Sequence, residues 1–97
     1  MNLFEKSNEI KSITDSVREL IINKGYNEEF KIYVESEFFK DSYDISSEPV
    51  DVYVVYKEAK PSQEIIEILD SMYTYYSIKV IDETRFVNNY GNHCTLV

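Results

Sequence analysis

The segment from Val50 to Tyr56 constrains the fold more than any other part of the chain. All of its residues except Asp51 are β-branched or aromatic, and they form a nearly continuous apolar run. Such a run is typical of a strand that lies inside a sheet and is covered on both faces. We therefore predict a central strand at residues 50–56, around which the rest of the chain supplies further strands and covering helices.

Two other segments have helical periodicity. Between Leu3 and Lys24 the apolar residues recur at helical spacings, and Gly25 follows where a left-handed cap would end the helix. A second helix is predicted from Pro61 to about residue 75, because proline suits a first helical turn and apolar residues follow at helical spacing. The apolar positions of the two helices are Ile10, Ile13, Val17, Leu20 and Ile21, then Ile65, Leu69, Met72 and Tyr76.

The remaining elements are predicted to be strands. Apolar and polar residues alternate from residue 29 to about 37, which would place Glu35 and Glu37 on the same solvent-facing side. Two strands are predicted at 78–81 and 85–87, and a short last one at 93–97. The expected fold is a single small α+β domain over residues 1–97, of order α-β-β-α-β-β. It would have one mostly antiparallel sheet with two helices packed on one face.

The negative charge is concentrated in one segment. The net charge is −8, and residues 35–51 hold six acids and one base, Lys40. Aromatic residues lie among these acids, and Tyr43 is the best placed of them to form an interface contact. The predicted partner-binding residues are Glu35, Glu37, Asp41, Tyr43, Asp44, Glu48 and Asp51. A basic protein would be attracted to such a surface, whereas the same residues could instead serve only solubility.

Composition excludes several classes of function. An acidic surface repels phosphate backbones, so we expect no direct binding of nucleic acid. Apolar runs are too short for a membrane span or a secretory signal, and the single cysteine excludes an internal disulfide, so a cytoplasmic location is expected.

Standard catalytic motifs are missing from the sequence. The glycines Gly25 and Gly91 lie in no phosphate-binding loop, and the neighbours His93 and Cys94 would point to opposite faces of an extended segment. Asp41, Asp44 and Glu48 could gather around a divalent cation, but their spacing is wrong for a calcium loop. We expect no enzymatic activity, no cofactor and no bound metal.

The order of elements resembles that of minimal nucleotidyltransferases. The resemblance covers about two thirds of the chain: a helix, a strand, a loop ending in Pro49-Val50-Asp51-Val52-Tyr53, a helix and a strand. In that family a Gly-Ser pair after the first strand holds the triphosphate, and an Asp-x-Asp on the second strand holds magnesium. Here the residues after the first strand are Glu35-Ser36-Glu37, with no glycine. On the second strand, Pro49 stands two residues before Asp51, where the family has the first Asp. The resemblance therefore implies an inactive relative.

Three functions fit these observations. The leading hypothesis is an acidic protein-binding inhibitor, of the size and charge of phage anti-defence (anti-CRISPR) or toxin-immunity proteins. It would block the basic surface of a nuclease or defence-complex subunit, in part by mimicking nucleic-acid charge. The first alternative is a small-molecule-binding or inactive nucleotidyltransferase-like domain. The second is a structural protein that forms homo-oligomers through a sheet edge.

Overall fold

The computed structural model describes residues 2–43 and 48–97. Within them the chain forms three α-helices and a four-stranded mixed sheet. The elements in chain order are α1 (Leu3–Asn23), β1 (Phe30–Glu35), β2 (Val50–Tyr56), α2 (Gln63–Asp70), β3 (Tyr76–Asp82), α3 (Glu83–Asn89) and β4 (Cys94–Leu96). Short 3₁₀ turns span Ser36–Phe39 and Gly91–His93. Across the described part of the chain, no helix combines the length and hydropathy that a bilayer crossing requires.

The sheet has the strand order β3-β2-β1-β4, so β2 lies inside it as predicted. The expected mostly antiparallel arrangement needs correction, because the sheet is mixed. Strand β1 runs antiparallel to β2 and β4, whereas β2 and β3 are parallel. The physical reason is the crossover through α2, which returns the chain to the same end of the sheet before β3 begins.

The main core lies between one face of the sheet and the helices α1 and α2. Alternate residues of β2 point to this face, and all are fully buried: Val50, Val52 and Val54. They pack with apolar residues at the helical spacing seen in the sequence, which are Ile10, Val17 and Ile21 of α1 and Ile65 and Leu69 of α2. Burial of this continuous apolar surface is the main source of stability for the fold.

The predicted strand at 85–87 is wrong, because these residues belong to the helix α3. The Asp82 side chain accepts a hydrogen bond from the Arg85 amide at 2.9 Å and so caps the first turn. Phe86 is buried against Tyr53 and Val55 on the second face of the sheet. The element order is therefore α-β-β-α-β-α-β, with a third helix on the face opposite α1 and α2.

The predicted second helix is longer than the observed one. Helix α2 ends at Asp70, where the hydroxyl of the capping residue Ser71 donates to the Glu67 carbonyl at 3.2 Å. A serine hydroxyl that binds the backbone in this way favours the end of a helix over its continuation. Tyr76, which kept the helical spacing, instead begins β3.

Gly25 is expected to stabilise the end of α1 through its backbone conformation. Its φ is +92°, and a Cβ atom built there would meet nothing within 4 Å. Gly25→Ala should therefore cost about 1 kcal/mol in the free energy of unfolding through backbone strain alone. Gly91→Ala is the matched control, since Gly91 has no positive φ. Equal urea midpoints for the two variants would contradict this account.

Candidate functional site

The second face of the sheet carries a cleft beside the segment that follows α3, here called the sheet-face cleft. Its volume is about 490 Å³, and its lining residues are Glu35, Ser36, Glu37, Lys40, Asp51, Tyr53, Tyr90, Asn92, His93 and Cys94. The pleat explains why these residues meet, because side chains of β2 alternate between the two faces. Asp51 and Tyr53 point away from the main core, and Tyr53 packs against Phe86 of α3.

An aromatic cluster forms the floor of the sheet-face cleft. The ring of Tyr53, only 5% exposed, stacks on Tyr90 with centroids 4.9 Å apart and planes 28° apart. Phe86 supports this pair from α3, with its ring centroid 5.5 Å from that of Tyr53 and 4.5 Å from that of Tyr33. Stacked and tilted rings at these separations attract one another beyond their burial alone. The floor is therefore a packed aromatic surface, and Tyr90, 38% exposed, is its most accessible ring.

Two carboxylates stand beside this floor. A Glu35 oxygen accepts a hydrogen bond from the Asp51 backbone amide at 3.2 Å. The Asp51 carboxylate in turn lies 3.2 Å from the Lys79 ammonium, which also sits 5.7 Å from the centre of the Tyr53 ring. Burial raises the pKa of Glu35, although the nearby Tyr43 hydroxyl and the Asp51 amide partly offset the rise. The site thus holds one half-buried acid and one acid already paired with a cation.

Cys94 contributes a thiol to the cleft, but in an unreactive state. Burial, reinforced by the charges of Glu35 and Asp51, raises its pKa from 9.0 to about 11. An activated nucleophile needs the opposite shift. His93 also lines the cleft, but a thiol with a raised pKa does not make Cys94 and His93 a catalytic dyad.

Alkylation of Cys94 is expected to be slow. A pKa two units higher lowers the thiolate fraction about a hundredfold near neutral pH, and iodoacetamide reacts with the thiolate. The rate in the folded protein should therefore be far below that of the same chain in urea. The double variant Glu35→Gln/Asp51→Asn should react faster than the wild type. Equal rates for the folded and unfolded chains would refute the assigned environment.

The structure divides the predicted acidic surface into separate parts. Strand β1 ends at Glu35 and a 3₁₀ turn follows, so Glu35 and Glu37 do not continue along one strand face as predicted. Both still line the cleft, and Glu37 is ion-paired with Lys40 at 2.8 Å. The turn exists because Phe38, only 1% exposed, inserts into the main core.

The other predicted binding residues do not line the cleft. Asp41 and Glu48 are exposed, and Tyr43 packs against the main core with its hydroxyl buried. Asp44 lies outside the described residues. Asp51 is the remaining member of the set, and it joins Glu35 and Glu37 in the cleft.

Several residues that line the cleft or contact its lining were not among the predicted site residues. Tyr53 and Asp51 are two apart on one strand, so the alternation of side chains could have placed them on the same face. Phe86 and Tyr90 are four apart, a spacing that indicates one face of a helix. Lys79 carried no such signal, because its position beside Asp51 depends on the parallel pairing of β2 and β3.

The cleft does not fit the magnesium site that the nucleotidyltransferase resemblance implies. Within residues 2–43 and 48–97, no three Asp, Glu, His or Cys side chains come together in a metal-binding group. The second acid of an Asp-x-Asp is present as Asp51, but Pro49 replaces the first, and Asp51 is paired with Lys79. Hard divalent cations require several oxygen ligands, which this arrangement does not supply.

Comparison with known proteins supports the fold but identifies no family. The sequence matches no protein-family model and no curated protein at a significant level. Among solved structures, it is similar to the crystal structure of a candidate nucleotidyltransferase from Sulfolobus solfataricus, with a TM-score of 0.61 and 14% sequence identity. The match covers 99% of this chain and 86% of the other. At this identity the likeness concerns the fold alone.

Proposed function

We propose that this chain is a binding domain with a nucleotidyltransferase-like fold, and that it does not catalyse metal-dependent nucleotidyl transfer. The sheet-face cleft holds part of its partner. The observation that carries the proposal is the ion pair between Asp51 and Lys79, with 3.2 Å between the carboxylate and the ammonium. Asp51, the carboxylate that would serve as a metal ligand, is thus already paired with a lysine cation.

Electrostatics explains why this pair opposes catalysis. A divalent cation bound to Asp51 would lie near the Lys79 ammonium, and the two positive charges would repel each other. Phosphoryl and nucleotidyl transfer depend on such a cation to neutralise the charge that develops on the phosphate oxygens. The cleft also lacks the glycine that would let the backbone approach a triphosphate, since Glu35 precedes Ser36.

The remaining features of the cleft suit binding. The cleft combines an aromatic floor and two acids with a volume of about 490 Å³, which is in the range of ligand-binding sites. Because the Cys94 thiol is kept protonated, the cleft has no activated nucleophile at this position either. Of the functions expected from the sequence, we therefore retain the inactive nucleotidyltransferase-like domain as our proposal.

A nucleotidyl-transfer assay tests this proposal. The purified protein is incubated with α-labelled ATP or CTP and Mg²⁺ or Mn²⁺, with its own side chains and a cell lysate as acceptors. We expect no incorporation of label, while a characterised nucleotidyltransferase run in parallel validates the reagents. We also expect Mg-ATP to leave the amide resonances of Glu35 and Asp51 unmoved. Label transferred by the wild type would overturn the proposal.

A second candidate function is inhibition of a basic protein such as a nuclease or defence-complex subunit. It rests on the exposed acids Glu37, Asp41 and Glu48, which belong to the segment with a net charge of −5. Concentrated charge of this kind accelerates and orients binding to an oppositely charged partner.

Charge reversal tests this second candidate. The triple variant Glu37→Lys/Asp41→Lys/Glu48→Lys should lose a basic partner that the wild type captures from cognate lysate at low salt. The matched control makes the same change at Glu28, Glu29 and Glu58, exposed acids elsewhere on the surface. Identical capture by the two triple variants would contradict a specific role for the acidic segment.

A further inference from the structure

We propose that two copies of this chain pair through the outer edge of β3, with their β3 strands antiparallel. Within the described residues the sheet has two edges, because β3 and β4 are its outer strands. Pairing at β3 joins the two four-stranded sheets into one continuous sheet. This inference goes beyond the proposed function and does not depend on it. It selects one edge and one geometry for the homo-oligomer that the sequence left open.

The outer edge of β3 carries a regular row of backbone donors and acceptors. The Val50 amide donates to the Tyr75 carbonyl at 2.8 Å, and Val50 lies opposite Tyr76 in the parallel ladder. Backbone groups alternate in direction along a strand, so those of Ile78 and Val80 point away from β2. In the part of the chain that the structure describes, these outward groups have no backbone partner. Such a row is a template for another strand.

The two edges of the sheet differ in how well they resist pairing. Strand β4 has only three residues, and a short edge strand offers little to an incoming strand. Strand β3 has seven residues, with no proline or glycine among them. A lysine on an edge strand discourages pairing, but Lys79 is turned inward. Its ammonium lies 3.2 Å from the Asp51 carboxylate and 5.7 Å from the centre of the Tyr53 ring, both on β2. The edge of β3 is therefore the unprotected one.

Charge and symmetry favour a second copy as the occupant of this edge. Residues 71–81 hold one base, Lys79, and no acid, so two copies can meet there despite a net charge of −8 on each. A basic partner would instead be drawn to the acids of residues 35–51. In an antiparallel pair related by a two-fold axis, outward donors of one copy face outward acceptors of the other. The assembly closes as a dimer, because only the short β4 edges remain.

Apolar side chains beside the edge add contact area. Tyr75, directly before β3, is 56% exposed. Val80 and Ile81, which point to opposite faces of the sheet, are only partly buried. A second copy covers these side chains together with the backbone row, and burial of their apolar surface favours association.

Sedimentation equilibrium combined with amide hydrogen exchange tests the inference on the wild type. We expect the mass to rise from 11.5 kDa toward twice that value as the protein concentration is raised. Over the same range the Ile78 and Val80 amides should gain protection from exchange. The Lys79 and Ile81 amides, which already bond to β2, should change less. Added salt should strengthen the dimer, because it screens the repulsion between two acidic copies.

Two substitutions at one position separate the backbone edge from the side chain. Val80→Pro removes an outward N–H and leaves the ladder to β2 intact, so this variant should stay monomeric. The matched control Val80→Ala trims the side chain, keeps the N–H and should still dimerise. Circular dichroism checks that both variants fold, and if Val80→Pro does not, the exchange measurement on the wild type decides.

Three results would overturn the inference. The first is a mass of 11.5 kDa at every concentration. The second is a dimer in which the Ile78 and Val80 amides gain no protection, which would place the contact elsewhere on the surface. The third is equal dimerisation of folded Val80→Pro and Val80→Ala. None of these results bears on nucleotidyl transfer, so the proposed function is tested separately.

Discussion

Phe86→Ala is expected to lower the free energy of unfolding by about 3 to 5 kcal/mol, a large fraction of the stability of a small domain. Phe86 is 2% exposed and packs between Tyr33 and Tyr53 on the second face of the sheet. Helix α3 has only seven residues, too few to be stable without tertiary contacts. Removing its one buried side chain therefore leaves a cavity and releases the helix. Urea denaturation measures the loss.

The neighbouring residue Val87 provides the control for this variant. It is 61% exposed, so Val87→Ala should change the free energy of unfolding by less than about 0.5 kcal/mol. Tyr90, which Phe86 helps to position, should lose its stacking on Tyr53 only in the Phe86 variant. Similar losses of stability in the two variants would show that α3 does not depend on Phe86.

Lys79→Asp is expected to give the cleft an affinity for divalent cations that the wild type lacks. The substitution removes the ammonium that neutralises Asp51 and adds a third carboxylate beside Glu35 and Asp51. Without metal, repulsion among the three acids should destabilise the variant. Added Mn²⁺ should then raise its melting temperature, since a ligand that binds only the folded state stabilises it.

Two further variants separate this effect from a change in net charge. Lys57→Asp makes the same charge change in the cluster of Glu28, Glu29 and Glu58, where no aromatic floor is present, and should gain a smaller response to Mn²⁺. Lys79→Met removes the ammonium without adding an acid. Its melting temperature should rise with Mn²⁺ more than that of the wild type and less than that of Lys79→Asp. An equal Mn²⁺ response of Lys57→Asp and Lys79→Asp would refute a special role for Lys79.

The elements with a long, regular apolar pattern were predicted well. The central strand at 50–56 has the bounds that its composition indicated, and α1 ends one residue before the predicted Lys24. Helix α3 was missed because Asp82, Glu83 and Thr84 were interpreted as a turn between two strands, and the aromatic Phe86 and β-branched Val87 after it favour a strand. What decides its conformation is the Asp82 cap together with the packing of Phe86 on the sheet. Tertiary contacts thus override a weak local preference.

The candidate site was predictable only in part, because it is assembled across the chain. The concentration of acids drew attention to Glu35 and Asp51, which line the cleft. Phe38, which lies among the same acids in the sequence, is buried in the main core. The floor of the cleft joins Tyr53 of β2 to Tyr90 after α3, and Lys79 reaches Asp51 only because β2 and β3 are parallel. Such long-range pairings leave no periodic signal in the sequence.

Paramagnetic broadening by Mn²⁺ tests most directly the claim that Lys79 excludes a catalytic cation from the cleft. Amide resonances of Glu35, Asp51 and Tyr53 in the wild type are compared with those of Glu28, Glu29 and Glu58 during a titration. The account predicts that the cleft resonances broaden no more than those of the reference cluster. Selective broadening of the Glu35 and Asp51 amides, before the reference cluster responds, would contradict it.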